Sequence, residues 1–184
     1  MEKIRNDELH QILDKVNLWI GNCDAKTTAI LGGFGVCASI FLTSDYASSF
    51  VLTICFAKSH INISSGIYLG ICFLALTMII YGICLLIFVL VAKTDPKEFA
   101  RLGVKTESLV FFSSIAKHKS ALDYRRKLRE CTPEQMQEDL ISQIYICSLI
   151  CDQKFDLYNS GVKSLIVGLI MYFLIFLVGQ MLVP

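Results

Sequence analysis

An all-α integral membrane protein, with three transmembrane helices and a helical cytoplasmic domain, is what three features of the sequence predict. Hydrophobic residues make up 54% of the 184, and the mean hydropathy of +0.58 is too high for a soluble single domain. Three apolar runs approach or exceed the length needed to cross a bilayer, about 20 residues at 1.5 Å each. Basic residues, finally, are distributed very unevenly between the segments that these runs separate.

The first element is a cytoplasmic amphipathic helix over 1–26, on which Ile4, Leu9, Ile12, Leu13, Val16 and Ile20 mark one face. Charges of both signs run through it, so it does not read as a cleavable signal peptide. It continues into the first span, 27–43, which is short but has no polar face of the kind an interfacial anchor carries. The segment 44–66 is expected as an outer loop or a continuation of the span, because its apolar piece Phe50 to Ala57 is much too short to cross. The second span, 67–91, is apolar throughout. The third, 162–183, contains Lys163 near its start, where the ammonium can snorkel to the headgroups.

Of the 17 Lys and Arg, twelve lie between Lys93 and Lys163, four precede the first span, and only Lys58 lies in 44–66. The positive-inside rule then places the N-terminus and the 92–161 region in the cytoplasm. Thiols stay reduced there, no CxxC pair occurs and no His is near enough to suggest zinc, so the eight cysteines read as small hydrophobes.

The cytoplasmic region 92–161 should hold two helix starts. "TDPKEF" offers Asp95 as cap and Pro96 at the first helical position; "CTPEQ" offers Thr132, Pro133 and a capping-box Gln135. Leu140, Ile144, Cys147, Cys151 and Phe155 follow at helical spacing on a helix that should continue toward the membrane. Between these starts lies the basic run "RRKLR", which suits either a solvated or lipid-facing patch or an anion site.

One pattern recurs. C-D-x-K appears at 23–26 and again at 151–154, each time near the end of a cytoplasmic helix and just before a span. Asp24 and Lys26 do not face each other on one helix, nor do Asp152 and Lys154. The four charges suit a cross-helix set at the membrane junction, or simply snorkelling anchors on an ordinary helix surface. Small-residue pairs in or beside the spans, Gly35 with Ser39, Gly66 with Gly70 and Ser164 with Gly168, together with a soluble part too small for its own core, lead us to expect a homo-oligomer.

No nucleophile elbow, P-loop, HExxH or Gly-rich fingerprint occurs, so nothing points to an enzyme or a metal. The order of the pieces does resemble a known family, the membrane effectors of bacterial Pycsar (pyrimidine cyclase) anti-phage systems. The resemblance rests on "WIGNCDAKTTAILG" at 19–32, "FFSSIAKHKSALDY" at 111–124 and "DLISQIYICSLICDQKFDLYNSGV" at 139–162, and departs from the family pattern at Cys23, Ser113 and Ser114. It implies an inner-membrane protein switched on by cyclic CMP or cyclic UMP from a partner cyclase, after which membrane damage stops growth before phage mature. No cofactor and no nucleic acid are implied.

Such a ligand needs a cation for its phosphate and a flat contact for its base. Arg125, Arg126, Lys127 and Arg129 are candidates for the first role, and Phe111, Phe112, Tyr124 and Tyr145 for the second. Asp24, Lys26, Asp152 and Lys154 are candidates for coupling at the membrane junction. Two other classes stay open: a small channel or transporter, for which the spans hold few polar side chains, and a membrane scaffold without toxic activity.

Overall fold

The computed structural model describes residues 6–59, 62–91 and 108–182, and among these every regular element is a helix. They are α1 (Asn6–Leu42), α2 (Asp45–Ser59), α3 (Ile63–Leu90), α4 (Phe112–Ile115), α5 (Ala121–Glu130) and α6 (Pro133–Leu182). Helices α1, α3 and α6 are long and apolar enough to cross a membrane. The helix start expected at Asp95 and Pro96 lies outside the described residues, as does Ile4 of the first amphipathic face.

The chain divides into two compact units, Met1–Cys23 with Ala92–Lys154 and Asp24–Val91 with Phe155–Pro184. Two of the three dividing points fall inside helices, one in α1 within the first C-D-x-K stretch and one in α6 immediately after the second.

In the first unit, α1 buries Leu9, Val16 and Cys23, seven residues apart along one stripe. Leu13 and Ile20 flank it half-buried, while Ile12 lies at its edge and is exposed. Helix α6 begins as the sequence suggests. The Thr132 amide donates to Gln135 Oε1 (3.1 Å) and the Gln135 amide to Thr132 Oγ1 (3.2 Å), with Pro133 at the first position. Its buried face here carries Asp139, Leu140, Gln143, Ile146, Cys147, Cys151 and Lys154. Burial pushes the Cys147 and Cys151 thiols up from their ordinary range, which leaves them weak nucleophiles and suits their use as small apolar groups.

The second unit is built on the crossing of α3 with α6. Ile79, Leu86 and Leu165 form one buried cluster, and Tyr68, Ala75 and Ile175 another. Glycines let the two backbones touch. A Cβ on Gly82 would lie 2.8 Å from Gly161 O, and one on Gly168 would lie 2.9 Å from Ile79 N. Ser164 Oγ donates to Met78 O across the pair (3.0 Å). Ser164 and Gly168, expected at a subunit contact, are thus engaged within the chain. Gly35, Gly66 and Gly70 by contrast have open space where a Cβ would stand.

The segment expected as a loop contains helix α2. Asp45 in its first turn suits the helix dipole, and packing does the rest. The Phe50 ring lies 5.0 Å from that of Tyr172, and the Tyr46 ring 6.0 Å from that of Phe176. Thr53, buried, comes close to Gly179. This helix is too short to have shown itself as a span; it packs on α3, its neighbour in the chain, and on aromatic partners more than a hundred residues away.

Candidate functional site

The first unit contains a cavity of about 480 Å³, within the size range of small-molecule sites. Its walls come from five consecutive pieces of chain. Ser108 and Leu109 belong to the loop before α4, Ser114 to α4 itself, and Lys117, His118 and Lys119 to the turn that follows. Asp123, Lys127 and Glu130 present one face of α5 at i, i+4 and i+7, and Cys131 and Gln135 close the end at the start of α6.

Local sequence chemistry fixes these walls. Ser120 caps α5, its hydroxyl accepting from the Asp123 amide (3.2 Å), while Asp123 in the first turn and Lys127 and Arg129 in the last match the helix dipole. Ser108 Oγ accepts from the amides of Val110 and Phe111, both at 3.0 Å, and so curls the loop into α4. Leu109 is then tied twice. Its amide donates to Asp139 Oδ2 on α6 (2.7 Å), and its carbonyl accepts from the Tyr124 hydroxyl on α5 (2.8 Å).

Electrostatically the cavity is cationic. Lys117, Lys119 and Lys127 face Asp123 and Glu130, but Asp123 is already engaged by His118 Nδ1 (3.3 Å) and by Arg126 Nη2 (2.8 Å). The His118 hydrogen bond chiefly, and Arg126 after it, hold the Asp123 carboxyl below its ordinary range. Three ammonium groups against two carboxylates, one of them committed to His118 and Arg126, leave an excess of positive charge that suits a small anion. The His118 ring, largely shielded and packed 5.3 Å from the Tyr124 ring, offers the flat surface.

The residues singled out in the sequence separate accordingly. Lys127 lines the cavity. Arg126 turns to Asp123, and Arg125 and Arg129 are exposed on other faces of α5. Phe111 and Phe112 pack on each other at 4.8 Å, Tyr124 commits its hydroxyl to Leu109, and Tyr145 is exposed on α6. Lys117, His118, Lys119 and Gln135 were not expected at a site. Their signal was the basic "KHK" immediately before a helix cap, overshadowed by the longer run "RRKLR". At the junction, Lys154 is buried, Asp24 half-buried, and Lys26 and Asp152 exposed. Among the described residues, no group of three or more His, Cys, Asp or Glu side chains is placed to hold a metal ion.

Comparison with known proteins gives one consistent result. The family described as the Pycsar effector protein domain matches residues 8–179. The Pycsar effector protein GmPycTM of Gulbenkiania mobilis is 28% identical over 179 residues, which cover 92% of this chain and 90% of that protein. No solved structure matches.

Proposed function

The chain belongs to the Pycsar effector family, and from that premise we propose that it is an anti-phage effector that senses cyclic CMP or cyclic UMP and then impairs the bacterial inner membrane. The observation that carries this reading is the cationic cavity, built in a unit whose two long helices, α1 and α6, are the same helices that carry apolar spans.

The ligand is a small monoanion with a flat base, and the cavity supplies what each part needs. Lys117, Lys119 and Lys127 take the phosphate as point charges. The His118 ring meets the base, while Ser114 and Gln135 offer neutral polar groups for its edge. Tyr124, Phe111 and Phe112 act by shaping the wall rather than by touching the ligand. Arg125, Arg126 and Arg129 add to the field that draws an anion toward α5. Tyr145 has no role in this arrangement.

Binding matters only if the ligand prefers one of two arrangements of the unit, since a ligand with equal affinity for both shifts nothing. Asp24, Lys26, Asp152 and Lys154 sit where both helices pass from one compact unit to the other. They are the positions at which a rearrangement of the first unit reaches the spans. The first unit is cytoplasmic in this reading, facing the cyclase product, and the protein acts as a homo-oligomer without catalysis, metal or nucleic acid. The open glycines Gly35, Gly66 and Gly70 support the assembly.

The test is physiological. Cells expressing this chain, supplied with a pyrimidine cyclase that raises cyclic CMP or cyclic UMP, should stop growing and lose membrane potential with one of the two. Continued growth at high levels of both would contradict the reading and favour a non-toxic scaffold.

A further inference from the structure

Leu109 belongs to the cavity wall, and both polar atoms of its backbone are bonded to neighbouring helices. Its N–H goes to Asp139 Oδ2 at 2.7 Å, a short charge-assisted bond, and its C=O takes the Tyr124 hydroxyl at 2.8 Å. Each of these partners lies on a helix that also lines the cavity. Tyr124 is next to Asp123 on α5, and Asp139 is one turn beyond Gln135 on α6. We propose that this clasp on Leu109 is the link through which an occupied cavity acts on α6, with Asp139 and Tyr124 as positioning residues. The inference rests on the ligand reading given above.

Three features favour transmission over simple support. First, Asp139 is 1% exposed and buries a whole carboxyl group to accept from a single backbone amide, more polar surface than an anchor alone requires. Second, Asp139 Oδ1 has no hydrogen-bond partner among the described residues. That leaves an acceptor toward which the neighbouring amides of Val110 or Phe111, now on Ser108 Oγ, can turn. In this proposal the loop exchanges the observed pattern for the second one, which gives it the two states that a ligand can bias. Third, α6 runs unbroken from Pro133 to Leu182, so a shift of its Asp139 turn is a shift of the helix that carries a span.

The test uses the full-length protein in phosphatidylethanolamine–phosphatidylglycerol vesicles loaded with a self-quenched dye, with cyclic CMP and cyclic UMP titrated separately. Affinity and dye release are both recorded for wild type, Tyr124→Phe, Asp139→Ala and Asp139→Asn. Tyr124→Phe keeps the ring against His118 and removes one donor. It should leave affinity within about twofold while release at saturating ligand falls about three- to tenfold, the factor that one neutral hydrogen bond carries. Asp139→Ala should do the same or more, and so should Asp139→Asn, which keeps an acceptor for the Leu109 amide but puts an NH2 where the second pattern needs Oδ1; wild-type release from Asp139→Asn would reduce Asp139 to an anchor and overturn the clasp. A Tyr124→Phe protein that loses affinity in step with release places Tyr124 against the ligand and overturns the clasp. Wild-type release from both Tyr124→Phe and Asp139→Ala overturns it too. A wild type that neither binds nor releases dye overturns the ligand reading itself, and the clasp with it.

Discussion

Gly82→Ala tests whether α3 and α6 meet backbone to backbone. The new Cβ would stand 2.8 Å from Gly161 O and from Leu165 N, and 3.1 Å from Leu165 Cα. Carbon–oxygen contacts ordinarily begin at about 3.3 Å, so the pair must part by roughly half an ångström. None of the three atoms belongs to a side chain that can swing aside. Leu86 and Leu165, both buried at this crossing, then lose contact as it opens. Overpacking of this kind costs about 1–3 kcal/mol. The gain of about 1 kcal/mol that Ala shows over Gly in soluble helices should offset little of this, because a membrane span stays helical when its bundle separates. The assay is SDS-driven unfolding in mixed micelles, followed by the thiol reactivity of Cys72, which packs against the Tyr68 cluster of the same helix pair. Gly35→Ala, with open space around its Cβ, is the control. The account predicts a lower midpoint for Gly82→Ala and an unchanged one for Gly35→Ala. Equal midpoints for Gly82→Ala and wild type would refute the packing argument.

Three further outcomes are expected. Because the folded Asp123 carboxyl is held low, its contribution to stability is complete above about pH 4, the unfolded carboxylate range, and is lost as pH falls through the depressed value. The difference in unfolding midpoint between wild type and Asp123→Asn should therefore close on acidification, and a gap independent of pH would show that no titrating contact is involved. Asp24→Ala should insert normally yet weaken ligand-driven dye release by about fivefold, for a junction contribution on the order of 1 kcal/mol; unchanged release would make the junction charges mere anchors. Gly35→Ile and Gly70→Ile should reduce assembly size by light scattering without lowering the unfolding midpoint, and an unchanged assembly would move the subunit contact elsewhere.

Much of this architecture is legible in the sequence because it depends on local or one-dimensional signals. The spans follow from length and apolarity, and the start of α6 follows from Thr132, Pro133 and Gln135, whose bonds are all within one turn. The stripe Leu9, Val16 follows from helical period. What is not legible depends on partners distant in the chain. Helix α2 is held by Tyr172 and Phe176, and no property of Asp45–Ser59 alone announces them. Small-residue spacing picks out Ser164 and Gly168 but not that they pack on Met78 and Ile79 of the same chain, nor that Gly82 and Gly161 meet across two helices. The basic run on α5 draws attention to four cations, yet only Lys127 lines the cavity: Arg125 and Arg129 fall on other faces at 100° per residue, and Arg126 turns to Asp123. Tyr124 reads as a base-stacking aromatic until its hydroxyl is seen to hold Leu109.

In the proposed function, the lysine-lined cavity of the first unit binds a cyclic pyrimidine mononucleotide. Calorimetric titration of the purified full-length protein with cyclic CMP and cyclic UMP addresses it directly, with Lys117→Glu/Lys127→Glu as the site variant and Arg125→Glu/Arg129→Glu as a control of equal charge change on the other faces of α5. The account predicts saturable binding of at least one of the two nucleotides, about a hundredfold weaker in the cavity variant and only a few-fold weaker in the control, as charge reversal beside a phosphate requires. Equal loss in both pairs would mean that net charge rather than the cavity governs binding, and loss confined to the arginine pair would place the ligand on the opposite face of α5 and contradict the claim.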